Sequence, residues 1–258
     1  MISVQLKGHT GNNLFQIASA IALAKRHGVE CGYVGDDEVK GFELIGVKKL
    51  NEKSKHLFEE KTFSFYEKFF KLKPHTHLHG YFQSPKYFSN ALEEVKKAFS
   101  FKKYIYEELN GIDNFKYEGL IGQENLVAIH IRRGDYLKHP DVYPKMTHEY
   151  YLSCINKIPN RNKILVFSDD IQWCKAQFEG PDYIFVTAPA YHSMLLMSNC
   201  DNVIMANSTF SWWGAYLGKP KKVFRPQNWF GNKWPYKESH PTLADCTKDL
   251  FPPEWLTI

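Results

Sequence analysis

From Asn12 the apolar positions Leu14, Ile17, Ala18 and Ile21 fall at i, i+3, i+4 and i+7, which predicts a helix with one buried stripe. Gly28 stands where such a helix would stop, at a position where an αL turn favours glycine. A short strand, Ile2 to Leu6, precedes this helix across the turn Gly8-His-Thr-Gly11, and a second strand, Val29 to Val34, follows it. The opening reads as strand, glycine loop, helix, strand. Residues 35–120 mix charged helical stretches with loops and give no regular period. The run Tyr117-Glu-Gly-Leu-Ile-Gly-Gln-Glu124 is largely polar and is the expected domain boundary. Beyond it the pattern becomes regular. Strand-like runs occur at 126–132, 163–168, 183–186, 202–206 and 222–225, with helical stretches at 147–158, 170–178, 191–199 and 209–218. Such alternation predicts an α/β fold, a parallel sheet covered on both faces. Right-handed crossovers then bring the C-terminal ends of the strands to one edge, where ligands of such sheets bind.

Three polar clusters stand where these strands end: His130-Ile-Arg132-Arg133-Gly-Asp135-Tyr136, Ser168-Asp169-Asp170, and Asn207-Ser208-Thr209-Phe-Ser211-Trp212-Trp213. In an extended strand His130 and Arg132 point to one side, and Arg133 points away unless the turn has begun. A guanidinium offers a rigid fork of donors that matches two phosphate oxygens. Asn207 or Ser208 is suited to cap the next helix, whose free amides and positive end favour a phosphate. Asp169 or Asp170 can accept from adjacent N–H donors on a base such as guanine. Together the clusters fit a nucleotide diphosphate held without a metal.

Each feature also has a plainer reading. The arginine pair beside Asp135 can be a surface ion pair, worth ~0–1 kcal/mol, and Asp169-Asp170 can be an N-cap. Phe210, Trp213 and Leu217, at helical spacing, favour core over a sugar platform. His75-Thr-His77-Leu-His79 puts three imidazoles on one strand face, but without a carboxylate or cysteine close by in the sequence it reads as coincidence rather than a metal site. The basic, aromatic segment 63–73 reads as a helix packed on the core, with an acceptor or peripheral membrane contact as the alternative.

Composition narrows the classes. The 258 residues are 43% hydrophobic and 24% charged, enough for one large domain or two small ones. The formal net charge of +5 suits an anionic partner, but the basic residues are scattered and form no arm or dense cluster, which argues against nucleic acid. Five cysteines without a C-x-x-C pair read as reduced thiols, not a disulfide frame or zinc site. With no signal peptide and no apolar run of membrane-spanning length, a cytoplasmic protein is expected, at most touching a membrane. G-x-G-x-x-G, P-loop and G-x-S-x-G motifs are absent, so dinucleotide oxidoreductases, ATPases and serine hydrolases lose support.

Five stretches, in order, resemble the α-1,2-fucosyltransferase family: Gly8–Gln16, Gly80-Tyr-Phe-Gln-Ser-Pro-Lys-Tyr-Phe88, His130–Tyr136, Phe167-Ser-Asp-Asp-Ile171 and Asn207-Ser-Thr-Phe-Ser-Trp-Trp-Gly214. The resemblance implies two Rossmann-like domains with parallel sheets facing a cleft, GT-B-like. Residues 1–120 would bind the acceptor and 121–258 GDP-fucose. It implies that His130 and Asp169 or Asp170 read guanine, that Arg132 grips the pyrophosphate and that Asn12 faces the diphosphate. Arg133, Asn207, Ser208 and Thr209 complete the expected donor site. The sequence departs from the family at His9-Thr10-Gly11-Asn12-Asn13, where glycine, leucine, glycine, asparagine and glutamine are usual, and at Ser193, where an aspartate is usual.

The expected reaction is an inverting, metal-independent transfer of fucose to O2 of a terminal galactose on a glycan acceptor, through an oxocarbenium-like transition state. Arg132 would stabilise the leaving pyrophosphate. Asp135 is the first choice as general base, with His139 or His9 in reserve. Trp212, Tyr81 or Phe82 would present rings to galactose. The rival classes are a transferase using another sugar nucleotide or acceptor position, a non-catalytic nucleotide- or sugar-binding protein, and an RNA-binding protein.

Overall fold

The computed structural model describes residues 1–109, 111–112, 117, 119–234 and 246–258. Two compact units divide the chain, Met1–Lys102 with Tyr236–Pro252 and Lys103–Pro235 with Pro253–Ile258.

The first unit opens as the pattern predicts. Strand β1 (Ile2–Gln5) leads through the Gly8 loop into helix α1 (Thr10–His27), then strand β2 (Cys31–Val34). Gly28 ends α1 in the left-handed conformation (φ 62°), its N–H returning to the last-turn carbonyls. The helix is buried along most of its length rather than on one stripe, from Thr10 to Ala24 with few breaks. Strands β3 (Val47–Lys49), β4 (His56–Glu59) and β5 (Thr76–His79) and helix α2 (Leu92–Ala98) fill the region that showed no period. Among the described residues the sheet has five parallel strands in the order β3-β2-β1-β5-β4. Its two edge strands, β3 and β4, are mostly exposed and polar, so no apolar run announces them. Segment 63–73 forms a 3-10 turn at Phe69–Lys71, not the expected helix. Phe63 and Phe69 are buried in the unit's aromatic core, while Tyr66, Lys68, Lys71 and Lys73 are exposed.

The second unit begins with helix α3 (Lys103–Leu109) and runs through β6 (Val127–Ile131), α4 (His148–Ile155), β7 (Ile164–Ser168), α5 (Ile171–Gln177), β8 (Tyr183–Val186), α6 (Ala190–Ser198), β9 (Asn202–Ile204), α7 (Thr209–Leu217), β10 (Lys222–Arg225) and β11 (Leu256–Thr257). The regular half of the sequence is thus a parallel sheet, in the order β11-β10-β9-β6-β7-β8. On one face Val127, Ile129 and Ile131 of β6 pack with Tyr151, Cys154 and Ile155 of α4 and Cys174 of α5. His130, of opposite parity, lies beside Phe210 of α7, with ring centroids 5.4 Å apart.

The division between units is not at 117–124 but at Lys102. Residues after it pack into the second unit: Glu108 of α3 pairs with His192 of α6 at 3.2 Å, and the Tyr117 hydroxyl accepts the Thr187 N–H at 2.8 Å. The polar run marks a turn, with Gly119 and Gly122 at positive φ. The return of Tyr236–Pro252 to the first unit has no counterpart in a boundary read along the chain. Cys31, Cys154, Cys174 and Cys200 are buried free thiols. No helix among the described residues is long and apolar enough to cross a membrane.

Candidate active site

In the second sheet the strand order reverses direction at β6/β9, a topological switch point, while in the first sheet β5 comes back to lie beside β1. Crevices for ligands open at such switch points, beyond the strand C-termini. The residues singled out above gather at these two places.

In the second unit β6 delivers His130 to a buried position, 7% exposed, where its Nδ1 has no hydrogen-bond partner among the described residues. Burial, reinforced by the Arg132 charge, pushes its pKa down to about 3, so the ring is neutral and can accept as well as donate. Strand β6 ends at Ile131, and Arg132 stands in the turn that follows. One arm of its guanidinium meets Asp135 at 2.7 Å and the other meets Asp169 at 3.0 Å. The fork therefore spans two carboxylates from different loops, with the Tyr136 ring 5.6 Å from its centre. Asp169 Oδ1 also accepts the Arg133 backbone N–H at 2.9 Å. Gly134 is needed here because a Cβ would lie 2.6 Å from Asp169 Oδ2.

Arg133 and Asp170 form a second pair with a different task. Arg133 Nε bonds Asp170 at 3.0 Å, and its guanidinium lies 4.0 Å from the centre of the Trp173 ring. Asp170 also caps α5 by accepting the Trp173 N–H at 3.1 Å. The Arg133 hydrogen bond, with that cap, holds its carboxyl below the usual carboxylate range. For Asp170 the plainer N-cap reading describes the geometry.

The β9 cluster divides its roles. Ser208 is the cap of α7, accepting the Phe210 N–H at 3.3 Å, and Thr209 begins the helix. Asn207 does not cap. It is buried, and its side-chain amide donates to the Pro144 and Trp229 carbonyls at 2.9 and 3.1 Å, while its backbone carbonyl accepts the Tyr136 hydroxyl at 2.9 Å. It thereby ties the loops after β6, β9 and β10 together. Trp212 and Trp213 have no exposed surface. Trp212 stacks on Tyr216 at 4.6 Å and lies 5.3 Å from Trp255, so the expectation that it presents a ring to a sugar is corrected. Asp135 is exposed, in the 3-10 turn Asp135–Lys138, and its carboxylate is engaged by Arg132. His139 is exposed just past that turn, and among the described residues no hydrogen bond ties its ring to the Arg132 cluster.

In the first unit Gly8 has φ 75°, and a Cβ there would collide with the Asn12 side chain. Asn12 Oδ1 accepts from Gln83 Nε2 at 2.8 Å, joining the glycine loop to the Gly80–Phe88 motif. Gln16 donates to the Gly80 carbonyl at 3.0 Å. Glu38 meets the start of α1, accepting the Thr10 N–H at 2.9 Å and pairing with His9 at 3.0 Å. His9, the reserve base, is thus held by a carboxylate. Phe82, like Trp212, is fully buried and is withdrawn as an acceptor ring, whereas Tyr81 is half-buried with the Lys7 ammonium 4.3 Å from its ring centre. Sequence reasoning missed Glu38, Gln83 and Glu60, whose carboxylate accepts the Tyr81 and Phe82 N–H groups at 2.6 and 3.0 Å. Only Gln83 carried a signal, its place inside the Gly80–Phe88 motif.

The histidine triplet does not share one environment. His75 precedes the strand at φ 64°, His77 is buried against the Ser3 hydroxyl at 2.8 Å, and His79 faces Glu59 at 3.4 Å. Glu59 is the carboxylate absent from the local sequence, brought close by the β4–β5 pairing. Among the described residues no three His, Cys, Asp or Glu side chains gather as a metal-ion set. Ser193 is buried, its hydroxyl donating to the Ala188 carbonyl at 2.8 Å.

The chain is similar to known proteins. The chain is 32% identical over 166 residues to the O-antigen biosynthesis glycosyltransferase WbnK of Escherichia coli, covering 59% of this chain and 55% of that one. It is 34% identical over 151 residues to an alpha-1,2-colitosyltransferase of Escherichia coli (54% and 50% covered). To human galactoside alpha-(1,2)-fucosyltransferase 1 it is 25% identical over 199 residues (72% and 53% covered). The chain spans about half the length of these curated relatives. In fold it is similar to NodZ alpha-1,6-fucosyltransferase soaked with GDP-fucose, with a TM-score of 0.54 at 14% identity over 84% of this chain and 92% of that one. The α/β architecture with two parallel sheets is therefore that of GT-B-like fucosyltransferases. The family model described as glycosyl transferase family 11 matches residues 1–255, and with nearly every residue inside that match, this chain belongs to glycosyl transferase family 11.

Proposed function

We propose that this chain is an inverting fucosyltransferase that moves L-fucose from GDP-fucose to O2 of a terminal galactose. The observation that carries the reading is the pairing, at the β6/β9 switch point, of the Arg132 fork with the neutral, unpartnered Nδ1 of buried His130. A fork of two-point donors suits a diphosphate, and a buried ring nitrogen without a partner suits a hydrogen-bonding base edge. The second unit is then the donor unit and the first the acceptor unit. The position of Asp169, beside both Arg132 and the Arg133 amide, supports its reading as the carboxylate that meets guanine.

In the reaction the acceptor oxygen attacks the anomeric carbon as the bond to the GDP oxygen breaks. The electron pair leaves on the pyrophosphate, where Arg132 and the α7 amides near Ser208 stabilise it. The hydroxyl proton passes to a base, for which Asp135 is the choice once a phosphate takes over the Arg132 arm that now holds it. Opposite-face attack on a β-linked donor gives an α-fucoside. No divalent ion is required in this scheme, because guanidinium and helix amides supply the charge.

Incubation with GDP-fucose and a galactosyl disaccharide, with the linkage read by NMR, tests the reading. An α-fucosyl bond at galactose O2 is expected. A β-fucoside overturns the single displacement, an α bond elsewhere overturns only the regiochemistry, and neither transfer nor donor hydrolysis means a non-catalytic binder. The 34% identity to a colitosyltransferase favours a second reading, the same site with a colitosyl donor, which a donor panel separates.

A further inference from the structure

The register of the second sheet sets two pairs of sequence neighbours opposite each other. β6 and β7 run in parallel as far as Ile131 and Ser168, so the turn that starts at Arg132-Arg133 stands beside the one that starts at Asp169-Asp170. The turns approach closely, since a Cβ on Gly134 would lie 2.6 Å from Asp169 Oδ2. Three links join them. Arg132 Nη1 meets Asp169 Oδ2 at 3.0 Å, the Arg133 backbone N–H donates to Asp169 Oδ1 at 2.9 Å, and Arg133 Nε donates to Asp170 Oδ2 at 3.0 Å. Asp170 is itself fixed. Its N–H donates to the Ser168 hydroxyl at 2.9 Å, and its other oxygen accepts the Trp173 N–H at 3.1 Å.

The two arginines differ in what they can release. The Arg132 side chain is 29% exposed, and its ion-pair partners Asp135 and Asp169 are carboxylates whose place a phosphate can take. The Arg133 side chain is 14% exposed, with its guanidinium 4.0 Å from the centre of the Trp173 ring. The ring contact and the Nε bond together commit that planar group to its own unit. When a diphosphate draws the Arg132 fork, the Arg132–Asp169 link is given up. Of the three links, the two made by Arg133 remain. We infer that Arg133 is a positioning residue: through Asp170 and Trp173 it keeps the β6 turn against the β7 turn and so aims the Arg132 fork, without touching the nucleotide itself. The inference departs from the expectation that Arg133 belongs to the donor contacts, and it rests on the reading of Arg132 as the pyrophosphate grip.

The test uses the full chain, with GDP affinity and the urea midpoint measured for each variant. Asp170→Asn decides by the sign of its effect. Asparagine keeps the cap on α5, because its side-chain oxygen can still accept the Trp173 N–H, but it leaves Arg133 without a charged partner. By charge alone, removing a carboxylate beside a dianion site tightens binding, whereas loosening the hold of Arg133 weakens it. GDP affinity is expected to fall about fivefold in Asp170→Asn and about tenfold in Arg133→Ala, and the double variant should bind no more weakly than Arg133→Ala. The urea midpoint of Asp170→Asn should stay near that of wild type, because a partly exposed ion pair contributes little. Affinity equal to or tighter than wild type in Asp170→Asn overturns the inference. Losses that multiply in the double variant overturn it as well, since Arg133 would then act on the nucleotide independently of Asp170. A lowered midpoint with wild-type affinity assigns the pair to stability alone and also overturns it. Should Arg133→Ala not fold, Arg133→Lys takes its place with the same weakening expected, because it keeps the charge without the planar fork. If wild type binds no GDP, the proposed function and this inference both fail. If wild type binds GDP and Asp170→Asn binds it no less tightly, only this inference fails.

Discussion

The loops after β1 and β5 and the loops after β6 and β9 are built from different chemistry. After β1 and β5 neutral amides meet, Asn12 with Gln83 and Gln16 on the Gly80 carbonyl, while the Glu60 carboxylate is taken up by the Tyr81 and Phe82 N–H groups and the Lys7 ammonium lies over the Tyr81 ring. The start of α1, where an anion would otherwise be attracted, is already met by Glu38 from its own unit. At β6/β9 the side chains are charged, with Arg132 spanning Asp135 and Asp169, and α7 begins at a neutral Ser208 cap. A dianion gains more from the second arrangement than from the first, because its charge meets a guanidinium. What remains at the first is suited to orienting neutral or singly charged groups. A shared parallel-sheet layout therefore does not mean similar ligands.

That contrast can be broken or sharpened in four ways. Both units bury the ring that was expected to face a sugar, Trp212 in one and Phe82 in the other. Trp212→Ala and Phe82→Ala should each cost ~3–5 kcal/mol of stability, read as a lower urea midpoint. An unchanged midpoint with lost acceptor affinity would return that ring to the site. Next in size is the charge itself. Arg132→Lys keeps the charge but loses the fork, and turnover should fall 10²–10³-fold, about 3–4 kcal/mol in the barrier. Asn12→Ala at the amide site should cost only ~1 kcal/mol. Equal losses in kcat/KM would end the distinction between the two groups of loops.

The third uses acid. His130 and His77 are buried in different units, chiefly by desolvation, with pKa values pushed down to about 3 and about 4. Between the ordinary histidine value near 6.5 and these lowered values the unfolded chain binds more protons than the folded one. Stability should therefore decline as pH falls below about 6.5, and the His130 contribution should go on declining to a lower pH than that of His77. Urea midpoints of His130→Gln and His77→Gln against pH measure the two slopes. A slope unaltered in either variant removes that histidine from the account. The smallest expected effect is none: EDTA should leave activity intact, since in the proposed function guanidinium and helix amides would supply the charge stabilisation of a divalent ion. Loss on chelation, restored by manganese or magnesium, would overturn that view.

Legibility followed burial. β6 and β7 are covered on both faces and read as continuous apolar runs, so the five strands read after residue 126 stood out within a residue or two of their places and the helices between them within three, while α3 and β11 were not read. β3 and β4 are sheet edges with sequences Val-Lys-Lys and His-Leu-Phe-Glu, and nothing in their polarity distinguishes them from loop. The aromatic motif around Trp212 was read as mixed core and platform because a helix repeats every 3.6 residues whichever side meets solvent. Only packing against Tyr216 and Trp255 decides that both tryptophans lie inside.

By itself the sequence determined the class of fold, the first strand–loop–helix unit, the strands after residue 126 and the three polar clusters at their ends. These follow from periodicity, turn chemistry and the rule that parallel strands end together, all of them local or topological. The tertiary structure decided which charged groups meet. Arg132 and Arg133 are neighbours in sequence, yet one spans two loops and the other is locked on Asp170 and Trp173. It also decided that Glu60, unremarkable in its own segment, reaches the amides of a turn some twenty residues further on. Side-chain hydrogen bonds act over about 3 Å, and which groups come that close is set by strand order and register, which no short stretch of sequence contains.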